Sequence, residues 1–146
     1  MNRLFIVAGS LSSMAALLHL ACIYFGASWY RFFGAGEQMA QWAEQGLIKP
    51  TLITLFIFSV LSVWAAYAFS AAGLIRRLPL RRTALLLITA VYVVRGLGGF
   101  FLISTPMGRS PEFWLWSSGI CLVIGLIHSF ALIQTWPQLA SPSSSQ

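Results

Sequence analysis

Four apolar runs, at about residues 4–25, 51–73, 83–104 and 113–135, decide what this chain can fold into. A run of about 20 apolar residues just crosses the hydrocarbon layer as an α-helix, and within lipid every backbone N–H and C=O must be paired inside the segment itself. The expected fold is therefore all-α: an integral membrane four-helix bundle of up-down topology, with one domain over 1–137 and a disordered Ser-rich cytoplasmic tail over 138–146.

Composition agrees. With 58% hydrophobic and 8% charged residues and a mean hydropathy of +0.81, the chain lies outside the ordinary soluble class. The first run contains HLAC at 19–22, a poor likeness to a lipoprotein cleavage box. His19 stands where that box takes an aliphatic residue, so the run reads as an uncleaved helix.

Charge sets the expected orientation. Arg76, Arg77, Arg81 and Arg82 crowd the segment between the second and third runs, whereas the loops of the opposite side carry Arg31, Lys49 and Arg109 beside Glu37, Glu44 and Glu112. The positive-inside rule places the arginine loop and both termini in the cytoplasm. The outer side then carries Trp29, Tyr30, Phe32, Phe33, Phe113, Trp114 and Trp116, rings suited to the headgroup layer. Between them, GEQMAQWAEQG puts Met39, Trp42 and Ala43 on one helical face and Glu37, Gln41, Glu44 and Gln45 on the other, which predicts a short interfacial helix capping the bundle. The basic balance is a topology signal, and no nucleic-acid partner is expected.

Small residues recur every four positions at Ser117, Cys121, Gly125 and Ser129, at Ser62, Ala66 and Ser70, and at Ala8, Ser12 and Ala16. Helices in lipid associate where such residues let backbones approach, so these stripes are assigned to helix contacts.

One residue breaks the apolar pattern. Arg95, in VYVVRGLGGFF, lies about two residues, or roughly 3 Å, from the middle of the third run. A cation at that depth costs about 3 kcal/mol on insertion scales, and a guanidinium does not deprotonate to escape it. No run contains a carboxylate. Its acceptors must come from backbone carbonyls, from hydroxyls such as Ser59, Ser62 or Tyr92, from water, from a partner chain, or from a bound anion. Two readings stand side by side: Arg95 snorkels outward and holds its helix against the cap, or it lines an outward-opening pocket for a carboxylate or phosphate. His19, Tyr24, Tyr92, Ser59 and Ser62 are the other expected liners, with Glu37 from the cap as a tether when the pocket is empty. Gly96, Gly98 and Gly99, which follow directly, are assigned to close packing.

Several chemistries lack their residues. His19 and His128 are offset by roughly 13 Å along the membrane normal, too far for two ligands of one haem. Cys22 and Cys121 form no paired motif, Asp is absent, and neither a phosphate-binding glycine loop nor HExxH occurs. No metal site or cofactor is expected. Small multidrug-resistance exporters of similar length carry a glutamate in the first span; this chain has none there. An enzyme of lipid or quinone chemistry ranks last.

The stretches HLACIYFGASWYRFFGAGE and FWLWSSGICLVIGLIH resemble a set of small four-helix bacterial inner-membrane proteins of uncharacterised activity. That resemblance implies a multi-pass protein of the bacterial inner membrane and nothing about chemistry. The expected function is non-enzymatic binding of an anionic small molecule or lipid headgroup around Arg95. The alternative is an accessory or structural subunit, homo-oligomeric or joined to a larger membrane partner or small transporter, whose Arg95 pairs with a partner carboxylate.

Overall fold

The computed structural model describes residues 1–105 and 107–139. Within them the chain is all-helical and has no strand, its six helices being α1 (Arg3–Phe25), α2 (Ala27–Phe32), α3 (Glu37–Glu44), α4 (Lys49–Ala72), α5 (Arg81–Phe101) and α6 (Pro111–Leu139). Helices α1, α4, α5 and α6 are each long and apolar enough to cross a membrane.

Local chemistry sets the ends. The Asn2 side chain accepts the Phe5 N–H at 3.2 Å and caps α1. Pro50 falls in the first turn of α4 and Pro111 opens α6, positions where a missing N–H costs no helical bond. At α6 the Ser110 hydroxyl accepts the Phe113 N–H at 3.1 Å, and Glu112 complements the helix dipole.

Two boundaries differ from the sequence reading. Helix α5 stops at Phe101, three residues before the expected 104, and turns through 102–105. Helix α6 continues to Leu139 with Pro137 inside its last turn, so Gln138 and Leu139 are helical where a tail is expected. The rest of that tail, 140–146, lies outside the described residues. The short helix expected near 36–46 is α3, and α2 precedes it where the sequence reading placed only interfacial aromatics.

Helix α1 packs along α4 and α5 along α6; the two pairs meet chiefly through α1 on α6 and more lightly through α4 on α5. Small residues permit this closeness. Ala8, Ser12 and Ala16 of the predicted α1 stripe are all buried. In the α5–α6 seam, a Cβ at Gly96 would lie 2.8 Å from the Leu122 backbone nitrogen, and one at Gly125 would lie 3.0 Å from that of Val93. Large apolar side chains such as Leu17, Phe56, Val94, Phe130 and Ile133 point outward, as a lipid solvent requires.

At one end of the assembly the cap formed by α2 and α3 rests on the α5–α6 loop. A Cβ at Gly34 would overlap the Phe113 ring, and Gly36 lies against Gly108 and Arg109. Cys22, Tyr30 and Ala40 form a separate small apolar cluster beneath the cap. Tyr30 and Thr54 share a hydrogen bond of 3.2 Å that ties α2 to α4.

Candidate functional site

Tyr92 and Arg95 stand three residues apart on α5, so they share a helical face at two different depths. Each organises its own layer.

The Tyr92 layer is closed. Its hydroxyl shares a 2.8 Å hydrogen bond with Ser12 of α1. Its ring meets Trp64 of α4 edge-on at 4.9 Å and lies 5.5 Å from the His128 ring of α6. All four long helices therefore converge on one side chain. His128 is fully buried, and its Nδ1 lies 3.0 Å from the Ile124 carbonyl. Since a carbonyl only accepts, Nδ1 donates, and Nε2 is left as an acceptor with no partner among the described residues.

The Arg95 layer is less closed: Arg95 is half-buried, although Gly99, Trp114 and Ser118 beside it are buried. Helix α5 ends at Phe101, so Arg95 lies six residues, or about 9 Å, below the capped end. That is nearer the end than the sequence reading placed it. Its guanidinium reaches across to α6 and donates to Ser117 Oγ at 3.0 Å and Ser118 Oγ at 3.4 Å. It also lies 5.0 Å from the centre of the Trp114 ring, within cation–π range. Gly99 makes the reach possible: a Cβ there would overlap Ser118 Oγ and come within 2.5 Å of an Arg95 terminal nitrogen. Of the three glycines after Arg95, Gly96 serves helix packing, Gly99 serves the guanidinium, and Gly98 faces open space.

A second arginine shares the same aromatic. Arg109, from the α5–α6 loop, lies 4.8 Å from the Phe113 ring centre and 5.8 Å from that of Trp114. Crowding by surrounding atoms, and after it the positive charge of Arg95, lower the Arg109 pKa. Even so, a guanidinium stays charged. Neither arginine forms an ion pair with any described carboxylate.

The acids are engaged elsewhere. Arg31 of α2 donates through Nε to both Glu37 oxygens, at 2.9 and 3.2 Å, and through a terminal nitrogen to Glu37 at 2.7 Å. Its other terminal nitrogen meets Glu44 at 2.5 Å. These hydrogen bonds hold both carboxylates below the usual range and raise the Arg31 pKa.

The other expected liners are dispersed. Tyr24 is 84% exposed. Ser59 is exposed and returns its hydroxyl to the Leu55 carbonyl, and Ser62 does the same to Phe58. His19 bonds to Ala15 of its own helix. Tyr92 belongs to the closed layer and Glu37 to Arg31. Of the expected set, Arg95 alone occupies its layer, and Arg109, Trp114, Ser117, Ser118 and Gly99 complete it. The double serine of WLWSSG was a legible signal, since Ser117 already stood on a small-residue stripe; what the sequence lacked was the register of α6 against α5.

Among the described residues, no three His, Cys, Asp or Glu side chains group as a metal site would need. No family model, no curated protein and no solved structure matches this chain.

Proposed function

We propose that this chain is a non-enzymatic, multi-pass protein of the bacterial inner membrane that binds an anionic small molecule or lipid headgroup at its outer end, between Arg95 and Arg109. The positive-inside rule supports the orientation. Arg76, Arg77, Arg81 and Arg82 lie at the end opposite the cap, so both termini are cytoplasmic in this up-down bundle. Helix α3 then lies in the outer interface, with Ala40 turned inward and Glu37, Gln41 and Glu44 turned to water.

One observation carries the ligand reading: the Arg95 and Arg109 guanidiniums lie 5.0 and 5.8 Å from the centre of the same Trp114 ring while both acids of the cap are held by Arg31. Arg95 spends two of its five N–H donors on neutral hydroxyls. Those bonds do not neutralise a charge, and neutral partners are weaker than ionised ones. A carboxylate or phosphate supplies the missing acceptors in the geometry a planar guanidinium favours. The expectation of such a pocket around Arg95 is kept, with its lining moved from His19, Tyr24, Tyr92, Ser59, Ser62 and Glu37 to α6 and the α5–α6 loop.

The second reading, an accessory or structural subunit, has its own support. A shallow groove of about 360 Å³ between α1 and α4 is lined by the small residues Ser13, Ala16, Ser62, Ala65 and Ala66 together with Leu17, Phe58, Phe69 and Ile75. Small residues of this kind accept another helix, from a second copy or a larger partner. Native mass spectrometry of gently extracted protein separates the two. A small adduct on the wild type that is lost in Arg95→Gln supports the ligand, whereas a copurified chain lost in the same variant supports the subunit.

A further inference from the structure

We propose that Glu37 is the internal anion of the Arg95–Arg109 site, parked on Arg31 in this structure, and that Arg31 keeps the site open by holding that carboxylate away. The inference rests on reading the arginine pair as an anion site, and it names what competes for it.

Proximity is the first support. Glu37 directly follows Gly36, whose Cβ position lies 3.9 Å from Arg109 Cγ and 4.0 Å from its Nε. Glu37 thus follows a residue that lies against Arg109, as Glu112 precedes Phe113, whose ring Arg109 faces; of these two acids, Glu37 is the one held by another arginine. The segment that carries it turns on Gly34 and Gly36, with φ of 73° and 103°. Glycine occupies that region without the Cβ penalty, and its wide conformational range lets the segment re-aim the residue after it.

Charge accounting is the second. Arg31 holds two carboxylates, so releasing Glu37 leaves Arg31 still paired with Glu44. The transfer strands no charge: Arg31 keeps one acid and Arg109 gains one. The third is cost. The side chains of Arg31, Glu37 and Glu44 are 40%, 57% and 50% exposed, and exposed pairs of this kind are readily exchanged. The charged and polar groups that bear on Glu37 are Arg31, Gln41 and Glu44 on the cap, and Arg109 lies against the preceding Gly36.

The test follows Glu37 itself, by carbon NMR of its side-chain carboxyl across a pH titration of the full chain in micelles. In the wild type Glu37 titrates below the ordinary value of 4.5. In Arg31→Gln it stays below that value because Arg109 takes over, and it returns to about 4.5 only in Arg31→Gln/Arg109→Gln. A return to the ordinary value in Arg31→Gln alone overturns the proposal, as does indifference to the second substitution. Inorganic phosphate binding is measured on the same variants. Arg31→Gln weakens it several-fold, and adding Glu37→Gln restores it. If the carboxyl behaves as expected but the wild type takes up no phosphate, the internal anion stands and the external-ligand reading fails. If phosphate binds and Arg31→Gln leaves its affinity unchanged, the competitor fails and the site stands.

Discussion

Tyr92 and Arg95 stand one turn apart on α5, yet one is enclosed and the other is not. Tyr92 has a hydroxyl partner from α1, ring partners from α4 and α6, and almost no exposed surface. Arg95 has two hydroxyl partners, both from α6, and an aromatic it shares with a second cation. A neutral hydroxyl with one hydrogen bond is enclosed by four converging helices. A fixed charge with five donors is not completed by two serines, and we propose that an anion supplies the rest. Polar groups inside a bundle thus divide into those that serve the fold and those left for something else.

The largest effect is expected where both layers hang together. Gly96→Ala forces a Cβ against the backbone of Leu122, which cannot yield as a side chain end would. It shifts α5 against α6 and costs about 1–3 kcal/mol, read as a lower denaturant midpoint together with loss of any copurified anion. Gly99→Ala cuts between the layers. Its Cβ meets Ser118 Oγ and the Arg95 guanidinium, so ligand retention falls while the Tyr92–Ser12 bond stays protected in hydrogen exchange.

Tyr92→Phe breaks the closed layer alone. It leaves the Ser12 hydroxyl buried without its partner, a loss of about 0.6–1.7 kcal/mol for such bonds between membrane helices. Anion binding is unchanged. Arg95→Gln does the reverse: unfolding free energy moves by less than about 1 kcal/mol, because the half-buried guanidinium is bonded only to two serine hydroxyls, and the adduct disappears. Should Arg95→Gln unfold the protein while Tyr92→Phe is silent, the assignments of the two layers must be exchanged.

The smallest effect concerns the cap. Glu37 and Glu44 carry lowered pKa values, so their pairing with Arg31 adds stability above the ordinary value of 4.5 and loses it as pH falls through the depressed folded values. Amide protection in α3, taken relative to the intrinsic exchange rate at each pH, therefore falls on acidification below that point, while that of α5 and α6 holds.

The sequence specified the four spans to within a few residues at most ends, because apolar length is a one-dimensional signal. It also singled out Arg95, since a cation in an apolar run needs no structure to be seen. The lining of the site was another matter. Ser59 and Tyr24 have the right chemistry but point away, because a hydroxyl on a helix is aimed by the face it occupies. Ser117 and Ser118 became partners through the register set by Gly96, Gly99 and Gly125, which no single helix encodes. Glu37 was matched with Arg95 on charge alone, whereas Arg31, six residues away in sequence, reaches it first. The end of α5 at Phe101 moved Arg95 toward the cap and gave Arg109 access to the same ring.

The most direct test is an experimental map of the protein extracted from its own membranes with its lipids retained, inspected beside Trp114. The account predicts density for a carboxylate or phosphate group within hydrogen-bonding distance of both Arg95 and Arg109. A side-chain carboxylate from another chain in that position, or no density beside two well-ordered guanidiniums, contradicts it.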